Sequence, residues 1–280
     1  MVVRTSVAEA DDGTRLIVRS RPGDPSLPAF LLVHGLSSNA RLWDGVAEGL
    51  EVTDHASFAV DLRGHGESEK PAHGYDFAGV AADVAAVVRD VVGRRAILVG
   101  QSWGANVVVE AAGRFPEIAR AVACIDGGYI SLSDSFADWE AAKTQLTPPS
   151  FSGFTEAQLR THAESWFAGF PEAGVEAQLA NFVLAEDGTV RPRLALANHL
   201  TILEHLWTHD PLAAVAAVHV PVWVMAVHGG WDDKPRRVSD FVAAARQARV
   251  VWTDGHHDVH AQDPTRVVDF LLDLSSEVAE

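Results

Sequence analysis

The chain is expected to fold as an α/β protein: a mostly parallel central sheet flanked by helices, with a helical cap inserted into it. Two observations predict this. Continuous apolar runs of strand length alternate with stretches of helical period, the pattern of a parallel sheet covered on both faces. The alternation then breaks once, between about positions 127 and 210, and strand-like runs resume only at Val220.

The elements follow in order. Residues 1–21 hold two short β-branched runs around Asp11-Asp12-Gly13, which reads as an edge hairpin. Ala29–Val33, Ser57–Val60, 96–99, Ala119–Ile125, 220–227 and 250–252 read as buried strands. Between them, 77–92 is the clearest helix, with Val80, Val84, Val87, Val88 and Val91 on one face; 106–112 and 264–274 are others. The interrupted region has a helical pattern and dense punctuation: Pro148-Pro149, Gly153, Pro171, Gly174, Gly188 and Pro192. It is rich in aromatic residues: Phe136, Trp139, Phe151, Phe154, Trp166, Phe167, Phe170, Phe182 and Trp207. The expected layout is a core over 1–127, a helical cap over 128–212 and a second core segment over 213–280.

A chain of 280 residues can bury a full core without staples. Hydrophobic residues make up 48% and charged residues 21%, so disorder, collagen and coiled coil are disfavoured. The formal charge of −16 repels phosphate backbones and anionic membrane surfaces, so neither nucleic acid nor membrane is an expected partner. A lone cysteine, Cys124, excludes an intrachain disulfide and sits in an apolar run as a small core residue. The first residues lack a basic-then-apolar leader pattern, and no apolar run is long enough to span a bilayer, so the expected location is cytoplasmic. Monomer and homodimer both stay open.

The strongest chemical signal is Gly100-Gln101-Ser102-Trp103-Gly104, which follows a strand and opens a helix. This strand–turn–helix setting is what a G-x-S-x-G nucleophile elbow requires, because the sharp turn lifts the serine hydroxyl above the sheet. Three further segments accompany it: His34-Gly35 at the end of Ala29–Val33, Asp61-Leu62-Arg63-Gly64-His65-Gly66-Glu67-Ser68, and Gly255-His256-His257-Asp258-Val259-His260.

With these motifs the chain resembles a capped serine hydrolase of the α/β-hydrolase fold superfamily, esterase- or lactonase-like, over nearly its whole length. The resemblance implies acyl transfer through Ser102, with a histidine as general base and a carboxylate orienting it. It also implies an oxyanion hole from the backbone N–H groups of Leu36 and Trp103.

For the base, the resemblance favours His257, whose distance of seven positions to Pro264, where the last helix opens, fits the superfamily's pattern; His256, which follows a glycine as members often show, is the alternative. His260 is expected to pack or hydrogen-bond nearby, and His34 and His65 to serve structural turns. His256, His257, Asp258 and His260 also form a metal-like cluster, but without a further ligand set no metal or cofactor is expected. The acid is open among three residues. Asp126 follows the strand Ala119–Ile125, the position used by haloalkane dehalogenases and zearalenone lactone hydrolases of this superfamily. Asp232 and Asp233 lie in the turn after the next strand, where the superfamily's acid usually stands, although the segment leading to that turn is about two residues longer than usual.

A serine at position 102 disfavours dehalogenase and epoxide-hydrolase chemistry, which need an aspartate there. Esters and lactones of a hydrophobic small molecule are the default substrates, with the aromatic residues of the cap favouring an apolar acyl or aryl group. A lyase, a carbon–carbon or amide-cleaving enzyme such as an iminopeptidase, and a ligand-binding receptor on the same fold remain as alternatives.

Overall fold

The structure, a computed structural model, describes residues 3–279. Among the described residues, ten strands and twelve α-helices follow in chain order. The first part of the core holds β1 (Arg4–Glu9), β2 (Arg15–Arg21), β3 (Ala29–Val33), α1 (Asp44–Val52), β4 (Ser57–Val60), α2 (Phe77–Val87), β5 (Ala96–Gln101), α3 (Trp103–Arg114) and β6 (Ala119–Ile125). The interrupted region holds α4 (Leu132–Ser135), α5 (Trp139–Leu146), α6 (Glu156–Trp166), α7 (Glu172–Leu179), β7 (Phe182–Leu184), β8 (Val190–Pro192) and α8 (Leu196–Thr208). The chain then returns through α9 (Pro211–Ala216), β9 (Val222–Val227), α10 (Lys234–Ala244), β10 (Ala248–Thr253), α11 (Val259–Gln262) and α12 (Pro264–Glu277).

Eight strands form one sheet in the order β1-β2-β4-β3-β5-β6-β9-β10. The six from β4 to β10 run parallel, while the β1–β2 hairpin adds an antiparallel edge. Side chains alternate across the sheet. Phe30, Leu32, Ile97 and Val99 pack with Val46 and Leu50 of α1 and Val267 and Leu271 of α12. Leu31, Leu98, Val122 and Val224 pack on the other face with Val80 and Val84 of α2 and Val107 of α3. All of these are fully buried or nearly so, and each contributes about 1.5–3 kcal/mol. Cys124 is buried among them, and burial pushes its thiol pKa up.

Local chemistry sets the ends. The Asp76 carboxylate accepts the Gly79 N–H at 2.9 Å and starts α2. The stretch expected as one helix over 77–92 is α2 followed by a π-type turn at Val88–Val92. The Asp61 carboxylate ties the turn after β4, accepting N–H groups from Ala40 at 2.7 Å and Glu67 at 2.9 Å. Arg63 in that turn makes a two-pronged pair with Asp83 of α2, both contacts at 2.6 Å. Burial raises the Asp83 carboxyl to about 6 against the pull of Arg63.

Residues 128–212 add no strand to the main sheet. The region is not wholly helical: β7 and β8 pair as a small antiparallel hairpin around a turn containing Asp187-Gly188. Its aromatic residues largely meet one another, as in Phe151 with Phe154, Trp166 and Phe182, and Trp139 with Trp207. The expected boundary at 212 falls inside α9, which packs on α3 and α10 of the core.

Candidate active site

The parallel strands all end on one side, and the direction of winding reverses between β3 and β5. Loops leaving strand ends at such a reversal form a natural crevice. Leu36 follows β3, Ser102 follows β5, Asp126 follows β6, Lys234 begins α10, and His257 lies in the loop after β10. All five line one cavity of about 500 Å³.

Ser102 has φ 53° and ψ −126°, a left-handed conformation unusual for a residue with a side chain. It is held there by its N–H donating to the Ile125 carbonyl at 3.0 Å and by the start of α3. The glycines two residues to either side explain the motif. A Cβ at Gly100 would lie 2.2 Å from the Gly104 carbonyl oxygen, and one at Gly104 would lie 2.2 Å from the His34 carbonyl oxygen. Leu36 and Trp103 line the same cavity, and among the described residues no protein acceptor is recorded for the backbone N–H of either. His65 helps shape that loop, its Nε2 accepting the Ser37 N–H at 3.2 Å. His34 similarly accepts the Leu62 N–H at 3.1 Å, and both rings serve turns.

The Asp126 carboxylate is buried and saturated. Its Oδ2 lies 2.7 Å from His257 Nδ1. Its Oδ1 accepts from the Tyr129 hydroxyl at 2.7 Å, the Val227 N–H at 3.0 Å and the Lys234 ammonium at 2.8 Å. Burial opposes ionisation, but the hydrogen bonds and charges of His257 and Lys234 outweigh it and hold the carboxyl at about 2. An ionised carboxylate only accepts, so His257 carries its proton on Nδ1 and keeps Nε2 as an acceptor. Desolvation lowers the His257 pKa, yet the bond to Asp126 and the charges of Asp258 and Asp126 raise it above the ordinary imidazole value. Half of its side chain is open, and it lines the cavity.

The other predicted residues make different contacts, although His256 also lines the Ser102 cavity. His256 is edge-on to Phe167 and Phe170, and its Nδ1 accepts the Asp258 N–H at 3.0 Å. Asp258 accepts from Gln101 at 3.2 Å and Gln178 at 2.9 Å. His260 is fully buried against Trp43, and neither ring nitrogen has a hydrogen-bond partner. Its imidazole falls to about 4, chiefly through desolvation. Among the described residues no group of three or more His, Cys, Asp or Glu is placed to hold a metal ion. Asp233 pairs with Arg237 at 2.7 Å and Arg236 at 3.1 Å, and Asp232 lines a separate surface hollow. Neither carboxylate is brought to His257.

A family model described as alpha/beta hydrolase fold matches residues 28–206. The chain belongs to the alpha/beta hydrolase family. Among curated relatives, 2-(acetamidomethylene)succinate hydrolase of Mesorhizobium japonicum is 39% identical over 100 residues, 35% of this chain and 35% of that protein. Epoxide hydrolase A of Mycobacterium tuberculosis is 35% identical over 99 residues, 35% of this chain and 30% of that protein. These matches thus span about a third of the relatives' length. A solved structure of E-2-(acetamidomethylene)succinate hydrolase superposes with a TM-score of 0.79 at 23% identity, covering 97% of this chain and 98% of that one. The enol-lactonase from Burkholderia xenovorans superposes at 0.72 with 19% identity, covering 97% and 100%. Both show the shared fold.

Within this alpha/beta hydrolase the cavity wall differs from expectation. None of the nine aromatic residues singled out between Phe136 and Trp207 lines the Ser102 cavity. The inserted region contributes Tyr129 and aliphatic Ile130, Leu132, Leu146, Leu203 and Leu206 there, while Trp103 comes from α3 and Trp231 from the loop after β9. Phe151, Trp166, Phe167 and Phe182 instead line a second cavity of about 1100 Å³, formed by the inserted region together with Ser37, Ser38 and Gly66 of core loops. The aromatic residues bunch by packing on one another, a contact that sequence spacing does not reveal. Tyr129 and Lys234 were also missed as partners of Asp126. Tyr129 could have been found from its place three residues on in a Gly-Gly turn, whereas Lys234 comes from a distant helix and left no local signal. Among the described residues no helix is long and apolar enough to cross a membrane.

Proposed function

We propose that this hydrolase cleaves a carboxylic ester or lactone of a hydrophobic small molecule through an acyl-enzyme on Ser102. The observation that carries this reading is the 2.7 Å bond from His257 to a buried, ionised Asp126 in the cavity that also holds Ser102. His257 Nε2 takes the Ser102 proton as the oxygen attacks the acyl carbon. The carbonyl electrons move onto oxygen, and the Leu36 and Trp103 N–H groups receive that charge, each worth about 3 kcal/mol. His257 then gives its proton to the leaving alkoxide as the C–O bond breaks. Water enters by the same route in reverse, releasing the acid and restoring Ser102. Residues 128–212 act as the cap, supplying leucines that keep water from the reacting bond. An amide-cleaving reading stands second, favoured by the relative whose name carries an acetamido group.

The test is a panel of p-nitrophenyl esters, lactones and anilides, run with the parent enzyme and Ser102→Ala. Turnover of esters or lactones that falls by about 10³-fold or more in the variant supports the proposal. Anilide turnover without ester turnover favours the second reading, and a variant that keeps most of its rate overturns both.

A further inference from the structure

Lys234 begins α10 and is only 7% exposed. Its ammonium lies 2.8 Å from Asp126 Oδ1 and donates to the Val227 carbonyl at 2.8 Å. A buried ammonium is costly, and an apolar side chain of similar volume often fills such a place with no loss of stability. Here the charge is kept, in the wall of the Ser102 cavity.

The geometry gives it work. The Tyr129 hydroxyl, the Val227 N–H and Lys234 all converge on Oδ1, leaving Oδ2 to His257. Three donors on one oxygen stop the carboxylate from rotating away from the imidazole. The charges around His257 also need balance. Asp126 faces it from the end of β6, His256 and Asp258 lie in its own loop, His260 stands in α11, and Lys234 faces it from α10. Two carboxylates favour the protonated ring, which cannot accept a proton from Ser102. Lys234 acts against them.

We propose that Lys234 is a positioning residue of the Ser102–His257–Asp126 constellation: it clamps Asp126 so that Oδ2 stays on His257, and its positive charge offsets part of the negative field around the imidazole. The proposal rests on the roles given to Asp126 and His257 above. A lysine that merely tied β9 to α10 would leave the His257 titration unchanged.

The experiment is an NMR titration of the His257 ring in the 280-residue chain, with the resonance assigned by its loss in His257→Gln. Parent, Lys234→Met, Lys234→Gln and Lys234→Arg are compared, with folding checked by circular dichroism. Removing the charge in the Met or Gln variant is expected to raise the His257 midpoint by about one pH unit, and Arg to keep it near the parent value. The acid limb of kcat/KM moves up by the same amount, with kcat falling by about tenfold and KM little changed. Should Lys234→Met fail to fold, Lys234→Gln carries the test, since it keeps a donor for Asp126 without the charge. A midpoint that moves by less than about 0.2 unit in a folded, uncharged variant overturns the proposal. The titration uses no substrate, so it decides the role of Lys234 even if no ester or lactone is turned over.

Discussion

Asp126→Asn is expected to remove most of the activity by trapping the wrong histidine tautomer. The carboxylate accepts from Tyr129, Val227 and Lys234 at Oδ1 and from His257 at Oδ2. An asparagine amide has one acceptor oxygen, and three donors hold it at the Oδ1 position. Its NH₂ then faces His257, so Nδ1 must accept and the ring proton moves to Nε2, the nitrogen that should receive the Ser102 proton. The expected loss in kcat/KM is about 10⁴-fold, the size this change has in Ser-His-Asp proteases. The variant also leaves the Lys234 ammonium buried without its counter-charge, which lowers stability by about 3 kcal/mol. Initial rates on p-nitrophenyl acetate and urea unfolding measure the two effects. Asp232→Asn and Asp233→Asn stay within about threefold of the parent rate, since Asp232 lines a separate hollow and Asp233 pairs with exposed Arg236 and buried Arg237, away from His257. The reasoning fails if Asp126→Asn keeps more than about a tenth of the parent kcat/KM, or if Asp232→Asn is the more damaging change.

Three further outcomes are expected. Asp83→Ala leaves the buried Arg63 guanidinium with only the half-exposed Asp12 as counter-charge and lowers the unfolding free energy by about 3 kcal/mol in urea; a loss under about 1 kcal/mol speaks against that pair as a structural tie. His260, held near 4 by burial, leaves the unfolded chain binding more protons than the folded one between about pH 4 and 6.5. Its share of stability is complete above 6.5 and falls by about 3 kcal/mol as the pH drops to 4, so His260→Leu should flatten the unfolding curve across that window, and an unchanged slope contradicts the assignment. Gly104→Ala puts a methyl group 2.2 Å from the His34 carbonyl oxygen and should abolish ester turnover by displacing the elbow; a fully active, folded variant would show that the turn tolerates the shift.

The sheet was legible because its strands carry their own signal. Ala29–Val33, Ser57–Val60 and Ala119–Ile125 are buried runs whose bounds hydrophobicity marks directly. Ser102 was legible because backbone crowding at Gly100 and Gly104 leaves a fixed spacing in the chain. Adjacent His256 and His257 are told apart by spacing to Pro264 and by geometry: one ring is edge-on to Phe167 and Phe170, the other bonded to Asp126. Choosing among Asp126, Asp232 and Asp233 needed the third dimension, since all three follow strands and only distance separates them. The β7–β8 hairpin and the aromatic cluster were obscured because Phe151, Trp166 and Phe182 meet across loops rather than along one helix face.

Labelling with a fluorophosphonate, read by intact mass and peptide mapping, tests most directly that Ser102 is an activated nucleophile. The account predicts one adduct per chain, mapped to Ser102, absent in Ser102→Ala and slowed by about 10³-fold or more in His257→Ala. An unlabelled parent enzyme, or an adduct that forms at the same rate without His257, would contradict it.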